Sequence, residues 1–214
     1  MIDLNLLTAV CYSAVVADCC DAVGLRDQTL EPGIAPMAGG GVLVGWARPM
    51  QACPVDAEPE LPYDAEITYI DSLGTDEVVL GTGPTTTAIW GELFSTAAQA
   101  RGARGAVIDG LVRDRRRIPI ESGFVLFGRG GSPTDSLGRT SLVEPNAGLE
   151  IGGVLVNRGD LVVADLDGVV VVPRAAAAEV AERAVAKAST ETQSRAMLES
   201  GVLLREAWMR HGVL

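Results

Sequence analysis

Strand, helix and strand signals in the middle of the chain, followed by short strands with no helix between them, predict a layered α/β fold. Two stretches carry that expectation. Glu77-Val-Val-Leu80, a helix from about Ile89 to Arg101, and Gly105-Ala-Val-Ile108 lie close enough together to make one right-handed βαβ crossover. From Thr140 onward the pattern changes to Thr140–Val143, Ile151–Val156, Leu161–Ala164 and Val169–Val172, punctuated by glycine. These strands should form an antiparallel or mixed layer beside the crossover. No internal repeat or linker divides residues 1–214, so one domain is expected. Hydrophobic residues make up 48% of the chain and aromatic ones only 4%, which calls for a sizeable aliphatic core.

Taken in order, Leu6 to Val23 is rich in Ala and Val and predicts an N-terminal helix stopped by Gly24. Residues 25–41, with Pro32, Gly33, Pro36 and Gly39-Gly40-Gly41, have loop composition. Gly41 to Gly45 is a short buried strand, Pro49 to Pro62 a second loop, and Tyr63 to Leu73 a helix burying Ile67 and Ile70. The Gly/Thr segment Gly81–Thr87 lacks the lysine of a phosphate-binding loop. Phe124 to Phe127 adds a strand. Asp165 and Asp167 suit a turn between strands. Arg174 to about Ser200 is an Ala-rich terminal helix, with His211 in a solvated tail.

Composition excludes several kinds of chemistry. Seventeen basic against 28 acidic residues give a net charge of −11, which argues against nucleic acid as a partner. A single histidine removes His-based triads and multi-histidine metal sites. The only lysine is Lys187, in the terminal helix, so a Schiff-base aldolase is not expected. Cys11, Cys19, Cys20 and Cys53 show no C-x-x-C spacing and suit buried thiols of a reducing cytoplasm. No apolar run approaches the length of a membrane span, and Asp3 and Asn5 interrupt any leader-like start. What remains is chemistry based on carboxylates, arginine, backbone groups or a hard metal ion.

In open α/β layers, ligands collect at the carboxyl ends of strands. Two such ends deliver Trp90-Gly91-Glu92-Leu93-Phe94, at a helix start, and Arg113-Asp114, after a strand. If the strands are neighbours, Glu92, Arg113 and Asp114 converge. Backbone N–H groups and a guanidinium would then face a carboxylate, beside two acids able to hold Mg²⁺. This grouping suits stabilisation of a 2-oxo acid enolate. The plainer alternatives are a surface Arg-Asp pair and a favourable acidic first turn at Glu92.

Glu92, followed after twenty intervening residues by Arg113-Asp114, resembles the acid-x20-Arg-Asp signature of the RraA-like family. Arg101–Gly110, Phe127–Pro133 and Arg158–Pro173 resemble it too, in order along nearly the whole chain. That family includes the class II 4-hydroxy-4-methyl-2-oxoglutarate aldolases. The resemblance implies an α/β/β sandwich of the swivelling type, assembled as a homotrimer or hexamer with sites between subunits. It implies that Asp114 ligates Mg²⁺ or Mn²⁺ directly and Glu92 does so through water. Arg113 would bind the pyruvate moiety of a small 2-oxo acid, and the Gly91–Leu93–Phe94 main chain its carboxylate. A neighbouring subunit would add an acid from its C-terminal helix, Glu191 being the candidate. Other members of the family inhibit an RNA-degrading endonuclease, and a lyase with a different substrate is a third possibility. Met50–Pro62 matches poorly, and Arg115-Arg116-Arg117 either recruits a polyanionic substrate or faces solvent.

Overall fold

A computed structural model describes residues 2–213. In chain order the elements begin with α1 (Leu4–Val10), α2 (Ser13–Ala22), β1 (Ala35–Ala38), β2 (Leu43–Pro54) and α3 (Asp64–Asp71). The crossover region holds β3 (Glu77–Thr82), β4 (Ala88–Trp90), α4 (Glu92–Ala100), β5 (Gly105–Val112) and β6 (Val125–Gly131). Then follow β7 (Thr140–Val143), β8 (Leu149–Ile151), β9 (Val154–Val156), β10 (Leu161–Ala164), β11 (Val169–Val172), α5 (Ala177–Glu199) and α6 (Leu204–His211).

Nine strands form one mixed sheet in the order β1-β6-β5-β3-β2-β10-β11, with β4 against β5 and β7 against β2. The β2, β3, β5 and β6 strands are parallel neighbours, so their carboxyl ends share one edge of the fold. The sheet curls until its two edges are bridged by one segment. Leu30 N donates to Val169 O (2.9 Å) and Val171 N to Gln28 O (2.8 Å), while Ala35–Ala38 pairs with β6.

Strand periodicity separates one core inside the curl from two outside it. Val78, Leu80, Val107, Phe127, Val162 and Val171 point inside the curl, where Ile151, Val154 and Val156 of the β8–β9 hairpin fill the space. The intervening residues point outward to the helices. Leu161, Val163, Val170 and Val172 pack on α1, α2 and α5, whereas Val79, Ala106 and Ile108 pack beside Tyr69, Ile70 and Ala98 of α3 and α4. With both faces covered, the central strands are continuous aliphatic runs rather than alternating ones.

The βαβ crossover, the strands at Thr140–Val143, Leu161–Ala164 and Val169–Val172, and the long terminal helix are as the sequence predicts. Several boundaries differ. The N-terminal helix is two helices bent by 110° at Cys11-Tyr12, whose backbone is extended. The loop expected from Pro49 is strand as far as Pro54. Trp46 N bonds toward β3 and Ala47 N toward Asp160, so alternation aims the Pro49 nitrogen to the same side as Ala47. That side is a gap between β10, whose first residue Leu161 lies opposite Trp46, and β7, whose last residue Val143 lies opposite Gln51; no ladder donor is missed.

The loop expected over residues 25–41 contains β1, and helix α4 begins at Glu92 because Ala88–Trp90 pairs with β5. The Ile151–Val156 strand is a hairpin turning at Gly152-Gly153, and β7, β10 and β11 extend the main sheet instead of forming a separate layer. His211 ends α6 rather than lying in a tail. Asp165 is a turn residue as expected, accepting Asp167 N (3.0 Å). Among the described residues no single helix is long and apolar enough to cross a membrane.

Candidate active site

The β4 and β5 strands and the loop after β6 meet at one cleft of ≈ 390 Å³. Ile67, Ile70, Ile89, Phe94 and Ala97 form its apolar wall; Glu92, Arg113, Asp114 and Asp135 form its charged side.

From β4 comes the start of α4. Gly91 is the cap residue and no side chain caps this end. The first helical bond runs from Ser95 N to Gly91 O (3.0 Å), so the N–H groups of Glu92, Leu93 and Phe94 lack carbonyl partners within the helix. The turn is pinned from below: the buried Trp90 indole donates to Ser95 Oγ (2.9 Å), which donates to Gly91 O (2.9 Å). Leu93 is 74% exposed, and Glu92 Oε1 accepts from Thr96 Oγ1 (3.1 Å).

From β5 come Arg113 and Asp114. Arg113 N donates to Trp90 O (2.9 Å), joining the two strand ends. Asp114 then turns the chain with φ 56°, a left-handed conformation that costs on the order of 1 kcal/mol in a residue with a side chain. Its carbonyl accepts Arg117 N (2.8 Å), closing the short 3₁₀ turn Arg115–Arg117. Glycine at position 91 lets Arg113 and Asp114 approach closely. A Cβ there would lie 3.0 Å from Arg113 Cγ and 3.2 Å from Asp114 Oδ2.

The Arg113 guanidinium, 34% exposed, is held by two acids: Nε by Asp114 Oδ2 (3.1 Å) and Nη1 by Asp135 Oδ1 (2.9 Å). Asp135 Oδ2 accepts the Tyr63 hydroxyl (2.5 Å) and Oδ1 accepts Ser136 N (2.7 Å). Burial alone would raise the Asp135 pKa, but the bonds from Tyr63 and Ser136 and the charge of Arg113 bring it below the ordinary value. Burial likewise works against the Arg113 charge, and Asp135 and Asp114 outweigh it, so its pKa is raised. Tyr63 is pushed up to about 12 by burial and by its bond to Asp135.

Of the residues expected from sequence, Gly91, Glu92, Leu93, Phe94, Arg113 and Asp114 all line this cleft. Glu191 does not; it lies on α5, which packs on α1, α2 and α6, with its carboxylate 3.9 Å from Lys187 Nζ. Burial raises its pKa. Among the described residues no three acid, histidine or cysteine side chains converge as a ready cation site. Arg115, Arg116 and Arg117 are exposed and outside the cleft lining. Tyr63 and Asp135 are the residues that sequence reasoning missed. The available signal was positional: Asp135 follows β6, whose carboxyl end neighbours that of β5.

The sequence profile described as RraA-like: Aldolase/RraA matches residues 13–171. The chain belongs to the RraA-like family.

Relatives of this RraA-like chain carry different names. It is 32% identical over 173 residues to the "Putative 4-hydroxy-4-methyl-2-oxoglutarate aldolase" of Halalkalibacterium halodurans, covering 80% of each chain. It is 29% identical over 207 residues to protein DlpA of Legionella pneumophila, covering 95% of this chain but 33% of DlpA. The chain thus spans about a third of that relative's length. Among solved structures, Streptomyces coelicolor RraAS2, an unusual member of the RNase ES inhibitor RraA protein family, superposes with a TM-score of 0.75. That match is 28% identical and covers 90% of this chain and 94% of RraAS2.

Proposed function

We propose that this RraA-like protein is a divalent-metal-dependent carbon–carbon lyase acting on 2-oxo acids through a pyruvate enolate. Its reaction would be cleavage of 4-hydroxy-4-methyl-2-oxoglutarate, with oxaloacetate decarboxylation as the related activity. The observation that carries this reading is the meeting of Glu92, Arg113 and Asp114 with an uncapped helix start on one cleft. The similarity to the Halalkalibacterium protein supports it.

The donor set fits Mg²⁺ or Mn²⁺. Both acids offer hard oxygen ligands, and such ions are commonly held by one or two carboxylates with the remaining positions filled by water and substrate. Asp114 would be the direct ligand and Glu92 would act through water; Asp114 Oδ2 faces Arg113, leaving Oδ1 for the ion. Glu191 of a second copy would complete the set in a homotrimer or hexamer. The exposed Leu93, Leu203 and Met209 support assembly. When bound, the ion supplies positive charge where the C2 oxygen becomes negative.

The chain's own groups do the rest. The first-turn N–H groups of α4 receive the C1 carboxylate at the positive end of the helix. In aldol cleavage the C4 hydroxyl gives its proton to solvent as the C3–C4 bond breaks, and solvent later returns one to C3. The bonding pair remains on the pyruvate fragment as its enolate, and C4 leaves as a carbonyl. In decarboxylation the same bond breaks with loss of CO₂. Arg113 donates to the enolate oxygen, and C3 then takes a proton to give pyruvate. Free, buried Cys11, Cys19 and Cys20 suit a reducing, cytoplasmic setting.

The test is pyruvate release from a panel of 2-oxo acids with Mn²⁺ and with EDTA. Failure of both oxaloacetate and 4-hydroxy-4-methyl-2-oxoglutarate to give metal-dependent pyruvate would sink the reading. The likeness to RraAS2 favours a second one, a regulator that binds an RNA-degrading endonuclease. Tight endonuclease binding without turnover would establish it.

A further inference from the structure

Arg113 touches two carboxylates, and they are not equivalent. Asp114 is its chain neighbour on a strained turn, and under the lyase reading its carboxylate is shared with a cation. Asp135 carries no such second duty and is fixed at both ends. Its carboxylate is held by Tyr63 (2.5 Å) and Ser136 N (2.7 Å). Its main-chain carbonyl accepts Thr87 Oγ1 (2.6 Å) and Arg139 Nη1 (3.1 Å). Ala88 N donates to Thr134 O (3.0 Å), tying the same loop to β4. Tyr63 is also fixed, with Ile67 N closing the first turn of α3 on its carbonyl (2.8 Å).

We propose that Asp135 is the positioning residue for Arg113 and that Tyr63 holds Asp135 in turn, so the relay Tyr63–Asp135–Arg113 fixes the guanidinium in the cleft. The Arg113 Nε is directed to Asp114 and Nη1 to Asp135, which leaves Nη2 as the donor for a substrate oxygen. A donor held in place before reaction needs no reorganisation when charge develops. Without Asp135 the long Arg113 side chain has only Asp114 to lean on, the carboxylate that the cation also needs. The catalytic part of this proposal rests on the lyase reading; the positional part does not.

The test therefore has two readouts. In ¹⁵N-labelled protein, the Arg113 Nε–Hε signal, assigned by its loss in Arg113→Lys, should exchange slowly with solvent in the wild type. It should exchange at least several-fold faster in Asp135→Asn and Tyr63→Phe. With oxaloacetate and Mn²⁺, Asp135→Asn should lower kcat by about 10- to 100-fold, the range for lost outer-shell partners, with a smaller change in KM. Tyr63→Phe, which removes one oxygen and serves if Asp135→Asn does not fold, should lower kcat in the same direction by a smaller factor. A wild-type kcat in a folded Asp135→Asn variant overturns the relay, as does an unchanged Arg113 signal in both variants. If the wild type itself releases no pyruvate, the lyase reading falls and the Arg113 signal alone decides the relay.

Discussion

The N-terminal ends of α2 and α4 meet the same physical demand in opposite ways. Each exposes first-turn N–H groups at the positive end of a helix on the outer face of the sheet. At α2 the fold supplies the anion: Asp165, 152 residues away, accepts Ser13 N (2.7 Å) and Ser13 Oγ (2.6 Å). Ser13 is only 3% exposed, so this end is sealed. At α4 the cap is Gly91, no side chain among the described residues caps the end by a hydrogen bond, and Arg113 and Asp114 stand beside it. A helix end whose anion is built in is architecture, whereas one left open beside a guanidinium is available to a ligand.

Removing the charged groups of the open end tests this contrast most severely. Asp114→Ala should abolish metal-dependent pyruvate release. Arg113→Ala should lower turnover by about 100- to 1000-fold, as expected for loss of one donor to a developing oxyanion. Both should stay folded, checked by thermal unfolding, because neither side chain is in the core. Wild-type turnover in either variant would leave the open end without chemistry.

Gly91→Ala gives a finer test, because it changes shape without changing charge. The backbone there, at φ −158°, accepts alanine without strain. The added Cβ would still press on Arg113 Cγ at 3.0 Å. Turnover should fall several-fold, because the Arg113 side chain must give by a few tenths of an ångström. A neutral Gly91→Ala would show that the close approach has no functional role.

The open end was more legible in the sequence than the sealed one, for a physical reason. Glu92 and Arg113-Asp114 lie within one βαβ unit, where local spacing decides which side chains meet. The break in the first helix has no local cause: neither glycine nor proline lies at Cys11-Tyr12, and the residue that caps Ser13 is 152 positions away. The β2 extension through Pro49 escaped for a similar reason, since its tolerance depends on a gap between two later strands. Tyr63 and Asp135 are 72 positions apart and meet only when the loop after β6 folds over β4.

At the sealed end the expectation reverses. Asp165→Ala strips the buried Ser13 of both partners, and two unsatisfied donors should cost about 2 kcal/mol. For a chain of this size that is roughly a 4–8 °C fall in Tm. Turnover per folded molecule should be unchanged. A loss of turnover at constant Tm would mean that the two helix ends are coupled.

The smallest effect concerns what each region does to ionisable groups. Around the cleft, hydrogen bonds and opposite charges overcome burial and favour the charged forms of Asp135 and Arg113. Under α1 and α2 burial prevails, and the Cys11 and Cys20 thiols are pushed up to about 11. A thiol whose folded pKa is raised stabilises the fold fully below its unfolded value of 9.0, and that contribution is lost as pH rises toward 11. Stability should therefore fall by on the order of 1 kcal/mol between pH 8 and 9.5, or about 2–4 °C in Tm. Cys20→Ala should flatten this dependence only in part, since burial raises the Cys11 and Cys19 thiols as well. At pH 8 a disulfide reagent should modify the partly exposed Cys53 well before buried Cys11, Cys19 and Cys20. Equal rates for all four would mean that the helices over this core open as readily as the cleft, and the contrast between the two ends would not hold.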